Sequence, residues 1–312
     1  MRGPIIKSRR LRNNIAGWLF CVPGLALFAF VGVYCVVFSI LIAFYNWGGV
    51  DFATARFVGF SNFTRLLFGG LASQQFYQAL FNNIRIGVFS VLFVVPISMG
   101  LAFLMQNRGR ATGFFRTVYF FPMVCSGVAV FYVWKNLFAA NGGLNSLLKT
   151  LGLSFLVSKN GLLGDPKIAL IGIIIVSIWG SIPGNLILYY AGLANADKSL
   201  YEAAEIDGAS KFQMLIHITW HILKPITVIV VILTLNGSFQ SFTNVYTMTN
   251  GGPSGATQVL GTFIYLNSFG SGTGINVTGG ANFGLPSAAG WLGFLITVVL
   301  SIFSIRAFST DN

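Results

Sequence analysis

Apolar residues in this chain do not alternate with polar ones; they fall into long runs separated by short polar stretches. Six runs reach membrane length: Leu19–Phe44, Ile86–Met105, Phe114–Phe138, Ile168–Leu193, Ile226–Met248 and Phe283–Ile305. At 1.5 Å rise per residue, about 20 residues cross the hydrocarbon layer. Backbone in lipid must satisfy its own hydrogen bonds, which leaves helices or closed barrels. Barrel strands alternate apolar and polar residues over roughly 10 positions, and these runs do not. The pattern therefore predicts an all-α integral membrane fold with about six transmembrane helices. The third run is the least clean, with Arg116 and Lys135 at its ends, where long cationic side chains can snorkel. Pro96, Pro122 and Pro183 fall inside runs, where neighbouring groups can satisfy the freed carbonyls.

Composition agrees with this reading. Of 312 residues, 55% are hydrophobic and 8% charged, against about 25% charged in soluble domains. The net charge of +12 does not point to nucleic acid, because the basic residues are scattered over loops rather than gathered on one face. They report topology instead. The amino-terminal arm, the Asn107–Arg116 loop, the Asn195–Lys224 segment and the tail hold twelve Lys and Arg, and the opposite side holds seven. The positive-inside rule then places both termini in the cytoplasm. Arg2, Lys7, Arg9, Arg10 and Arg12 resemble the start of a signal peptide, but the run after them is too long for one and is read as a retained helix. The expected organisation is a cytoplasmic arm at 1–18, a membrane domain at 19–307 and a cytoplasmic tail at 308–312. Cys21, Cys35 and Cys125 lie in apolar runs and form no metal spacing. The outer segment Thr249–Asn282 carries no charge and is read as a loop with a short interfacial helix near Val259–Phe269.

Seven acids occur in the chain, and four of them, Asp197, Glu202, Glu205 and Asp207, lie within eleven residues of the segment between the fourth and fifth runs. Asp197 or Ser199 can start a helix there, Glu202 completing a capping box with Ser199. Gly208 can end it in the left-handed conformation. A second short helix is expected from Ser210 towards Trp220, with Phe212, Leu215 and Ile216 on its apolar face and Pro225 in the first turn of the next span. The product is a helix–turn–helix on the membrane surface, a small knob with a charged rim. The competing reading is a plain solvated connection, which does not explain why half the acids and both histidines, His217 and His221, gather here. The histidines lack a third ligand at metal spacing.

The stretch Glu202-Ala203-Ala204, Asp207-Gly208-Ala209, Ile218 and Pro225 resembles the cytoplasmic loop of ABC importer permeases. Where that family often has a proline, this chain has His221. Pro23-Gly24, Phe57-Val58-Gly59-Phe60-Ser61-Asn62-Phe63, Asn141-Gly142-Gly143-Leu144-Asn145 and Met248-Thr249-Asn250-Gly251-Gly252-Pro253 are similar to the carbohydrate-uptake branch, of sugar and glycerol-3-phosphate type. The resemblance implies a type I permease whose coupling helix seats in a groove on an ATPase subunit, through Glu202, Ala203, Ala204, Asp207, Gly208 and Ala209. It implies a second homologous permease, forming a heterodimer, an ATP-binding-cassette ATPase dimer holding ATP and Mg, and an extracytoplasmic solute-binding protein, in a bacterial or archaeal cell membrane. No cofactor and no metal are expected in this chain, and it has no G-x-x-x-x-G-K-[ST] phosphate loop.

A sugar offers hydroxyls and apolar ring faces, so its path needs neutral hydrogen-bonding groups and aromatics. The fifth run has that character in Asn236-Gly237-Ser238-Phe239-Gln240-Ser241-Phe242-Thr243-Asn244. Polar residues this dense in lipid should face a cavity or another helix, and helix–helix adhesion through Ser, Thr and Gly is the alternative. By position in the family, Gly237, Ser238 and Ser241 face solute, as do Met123 and Gly127 on the third run and Ser177, Gly180 and Ser181 on the fourth. An ion-coupled transporter is disfavoured because the ionisable groups sit only near span ends. An intramembrane enzyme is disfavoured because both histidines lie outside the spans.

Overall fold

The computed structural model describes residues 4–106, 111–194, 196–270 and 282–309. The arginines at 108 and 110, the two ends of the chain and part of the outer segment, 271–281, lie outside the described residues. The chain is helical almost throughout. An amino-terminal rod is built from α1 (Pro4–Leu27), a π turn (Phe28–Val33) and α2 (Tyr34–Ile42). A two-residue hairpin, Tyr45 opposite Phe57 and Asn46 opposite Arg56, leads to α3 (Ser61–Phe68). Then come α4 (Leu71–Gln106), α5 (Ala111–Val124), α6 (Gly127–Leu137) and α7 (Gly143–Thr150). After α8 (Ala169–Ala194) follow α9 (Lys198–Ile206), α10 (Lys211–Met214), a second π turn (Leu215–Thr219) and α11 (Trp220–Phe239). The chain ends in α12 (Phe242–Met248), α13 (Leu260–Phe269) and α14 (Gly284–Ser309).

Among the described residues, five helices are long and apolar enough to span a membrane: Asn14–Ile42, Leu71–Met105, Ala169–Ala194, Lys211–Phe239 and Gly284–Arg306. The third apolar run is instead two helices, interrupted at Cys125 and Ser126, where Ser126 turns extended (ψ 123°). Pro122 supplies no N–H to the preceding turn, which weakens the helix just before the interruption. The fifth run is also split, between Phe239 and Phe242. Pro225 lies inside this helix rather than in its first turn, because the helix begins upstream and continues unbroken from Lys211.

At 1.5 Å per residue α4 is about 54 Å long, well beyond the second apolar run. Its first turns are polar in sequence yet enter the protein. Asn82 Nδ2 donates to the carbonyls of Ala256 (3.0 Å) and Gln258 (2.8 Å). Asn83, fully buried, donates to the Ser238 carbonyl and accepts from the Leu260 N–H at 2.8 Å, capping α13 from another element. Asn83→Ala leaves that N–H unpartnered, at about 1–3 kcal/mol, while the Ser238 carbonyl keeps the Ser241 hydroxyl as donor. The midpoint of thermal unfolding in detergent is expected to fall by about 2–5 °C.

The central core joins Val95, Met99 and Phe103 of α4, Leu186, Tyr189 and Leu193 of α8, and Leu223, Val230 and Val231 of α11. α8 and α11 approach so closely that a methyl group at Gly192 would overlap the Ile226 side chain. A second cluster, at the end of the bundle reached by α3, packs Leu66, Phe76, Phe263, Leu285 and Ala289. α13 belongs to it: Phe263 and Asn267 are fully buried, so this helix is a packed part of the bundle rather than an interfacial one. The amino-terminal rod is the exception to this packing. Only 6% of its most apolar window is buried, and its chief partner is α14, through Trp291 Nε1–H to Ser39 Oγ at 3.1 Å.

Candidate functional site

The acidic segment forms a compact, well-capped unit. Asp197 caps α9 by accepting the Ser199 N–H at 2.9 Å, and that bond holds its carboxyl below the usual carboxylate range. The expected Ser199–Glu202 capping box does not form, because Asp197 is a charged acceptor already at the cap and Ser199 lies one position inside the helix. The box lies further on. Ser210 accepts from the Gln213 N–H at 3.3 Å, and Gln213 Oε1 accepts from the Ser210 N–H at 2.7 Å. Between the two caps Gly208 has φ +75°. Gly208 N–H reaches the Glu205 carbonyl at 3.1 Å and Ala209 N–H the Ala204 carbonyl at 2.9 Å, the paired bonds of a Schellman ending.

Glu202, Ala203, Glu205, Asp207 and Gly208 are exposed, while Ala204 and Ala209 rest half-buried on the central core. Ile206, 87% exposed, and Phe212, 69% exposed, stand on either side of the glycine bend. Ile206 was not singled out by sequence, since one isoleucine beside acids carries no periodic signal. Of the expected apolar face on the second helix, Phe212 and Ile216 are exposed and Leu215 is half-buried. That helix does not end before the membrane; it enters α11 through the π turn.

A cavity of about 270 Å³ opens where α11 breaks. Its walls include Ser177, Gly180 and Ser181 of α8, and Gly237, Ser238, Gln240 and Ser241 around the break. Asn236 and Phe239 face a neighbouring groove of about 580 Å³ between α11, α13 and α14, and Gln240 borders both. Met123, exposed on α5, and Gly127, at the start of α6, line neither. Phe131, one turn after Gly127, is the part of that span that reaches the cavity.

Every side chain lining the cavity is neutral. The hydroxyl protons are mostly spent locally: Ser177 Oγ on the Ile173 carbonyl (2.8 Å), Ser181 on Ser177 (2.7 Å), Ser238 on Leu235 (2.6 Å) and Ser241 on Ser238 (2.7 Å). Asn244 Nδ2 donates to Ser177 Oγ at 3.0 Å and ties α12 to α8. Helix adhesion and cavity lining are thus carried by the same residues. Two wall residues escape this accounting. Ser90 Oγ of α4 and Thr234 Oγ1 of α11 are buried without a hydrogen-bond partner. Sequence reasoning missed both, because single hydroxyls in long apolar runs read as tolerated exceptions. Buried hydroxyls seek a partner, so these two add hydrogen-bonding capacity to the wall.

Comparison with known proteins follows the same lines. Residues 93–309 match the model of a family described as the binding-protein-dependent transport system inner membrane component. A probable ABC transporter permease protein of Bacillus subtilis (strain 168), YurN, is 32% identical over 96% of this chain and 98% of its own length. The lactose transport system permease protein LacF of Rhizobium radiobacter is 33% identical over 82% of this chain and 84% of its own. Among solved structures, a bacterial ABC transporter involved in import of the acidic polysaccharide alginate has a chain with the same fold, at a TM-score of 0.77. The two are 20% identical, over 97% of this chain and 98% of that one.

Proposed function

The chain belongs to the family of binding-protein-dependent transport system inner membrane components, and from that premise we propose that it carries a neutral sugar or related polyhydroxy solute into the cytoplasm by alternating access. The uncharged, hydroxyl- and carboxamide-lined cavity at the break in α11 carries this reading. A ring-shaped polyol can exchange hydrogen bonds with such a wall and lay an apolar face on Phe131. An acidic glycan would meet no cation there. The similarity to LacF, a lactose transport system permease protein, supports the solute class.

Energy comes from elsewhere. An ATPase dimer grips the knob formed by Glu202, Ala203, Ala204, Asp207, Gly208 and Ala209 on the cytoplasmic side, and its closure shifts the helices as rigid bodies. A second permease completes the path. An external binding protein delivers solute, a role in line with the family's description as binding-protein-dependent. Both termini then lie in the cytoplasm.

The test is transport by the assembled complex in proteoliposomes, offered a panel of labelled disaccharides and oligosaccharides. Uptake is expected to need ATP and the binding protein, and to survive collapse of the proton gradient. Uptake driven by a proton gradient without ATP would overturn the reading.

A further inference from the structure

Besides Ala204 and Ala209, which rest on the central core, the knob meets the membrane helices through one ring. Tyr201, on the inner face of α9 and half-buried, places its hydroxyl 2.9 Å from Thr219 Oγ1. Among the described side chains of α9, this is the hydrogen bond that reaches another element. Thr219 is fully buried and is the last residue of the π turn that feeds α11. One residue advances a helix by about 100°, so the wider turn sets which way Thr219 points. The Tyr201 ring also lies 6.3 Å from the ring of Phe103, which is 4% exposed and sits near the end of α4. A single side chain thus meets α4 and the entrance to α11 together. Both helices carry cavity wall further along: Ile86 and Ser90 midway along α4, Thr234 and Ser238 towards the far end of α11.

We propose that the Tyr201–Thr219 hydroxyl pair, backed by Phe103, is the link that passes displacement of the knob to α4 and α11. This rests on the coupling reading above and names the residues through which it works. Tyr201 is a positioning residue, since it touches neither solute nor nucleotide. The exposed knob residues grip the partner, and Tyr201 sets where the grip pulls. Interactions of this kind bias rigid elements that have two packed arrangements. Loss of one hydroxyl would leave the grip intact and let α9 move without carrying the helices.

The experiment uses the full complex, with Cys21, Cys35 and Cys125 replaced and a reporter cysteine introduced as Ser181→Cys in the cavity wall. Labelling of that cysteine by a water-soluble maleimide is measured with and without ATP and vanadate. Capture of the ATPase and its hydrolysis rate are measured on the same samples. Tyr201→Phe and Thr219→Val are each expected to keep ATPase capture and hydrolysis within about twofold, while the vanadate-dependent change in labelling falls about fivefold or more. The double variant should be no worse than either single one, as for two ends of one contact. A labelling change in Tyr201→Phe equal to the parent's would overturn the link. So would parallel loss of capture, hydrolysis and labelling, the sign of a packing role alone. If the parent complex captures no ATPase, the coupling reading itself fails, and the link with it.

Discussion

Gly208→Leu is expected to abolish uptake while leaving the chain inserted in the membrane. Gly208 sits at φ +75°, where a residue with a Cβ costs about 1–2 kcal/mol. Among the described residues, its two chain neighbours apart, no atom lies within 4 Å of where a Cβ would be. The fold therefore has room for the new side chain, and under the proposed coupling the collision would come in the partner's groove. Leucine would stand out between Ile206 and Phe212, at the tip of the surface proposed to enter the ATPase. Uptake should drop below about a hundredth of the parent's, equivalent to about 2.7 kcal/mol of lost coupling, with unchanged abundance by immunoblot of isolated membranes. Gly208→Asn separates the causes, because asparagine tolerates the left-handed region but still adds bulk. Obstruction predicts that Asn is nearly as damaging as Leu, and strain alone predicts that it is mild. Near-normal uptake by both variants would remove Gly208 from the coupling surface.

Gly180→Leu carries the second large effect. Gly180 lies mid-helix on α8 and lines the cavity, with open space where its Cβ would be. Leucine is the better helix former by nearly 1 kcal/mol, so stability should hold or rise. The side chain would occupy much of a cavity of about 270 Å³ and replace hydrogen-bonding wall with hydrocarbon. Uptake is expected to fall at least about tenfold, or 1.4 kcal/mol at the transition state, with ATPase capture unaltered. Kinetics in proteoliposomes would check it. An unchanged rate at all solute concentrations would place the solute path elsewhere, with the neighbouring groove at Asn236 and Phe239 the next place to look.

The acidic segment was legible because its signals are local. A cap, an alanine pair and a glycine bend fall within a dozen residues, and the bonds that close them span five positions or fewer. The cavity was half-legible. Ser238 and Ser241 announce themselves as polar residues crowded into an apolar run, whereas Ser90 and Thr234 stand alone in theirs and gain meaning only when α4 and α11 face each other. Asn82 and Asn83 were out of reach, because their partners lie more than 150 residues along the chain. The early start of α4 went unseen for the same reason: hydropathy marks what lies in lipid, and those turns are held by hydrogen bonds to a distant loop. Several stretches that resemble the carbohydrate branch act as braces. Asn62 holds the carbonyls of Ala43 and Tyr45 at 2.9 Å, and Asn145 those of Ala140 and Ser158.

The amino-terminal rod has a consequence for biogenesis. It is made before the other four described spans, yet its main neighbour within the chain is α14, some 250 positions later. During elongation most of its apolar length must wait in the bilayer without that partner. The pairing of the rod with α14 can form only after Trp291 has been made, so a chain truncated before it would leave the rod only the contacts of its last turns with the hairpin segment and α3.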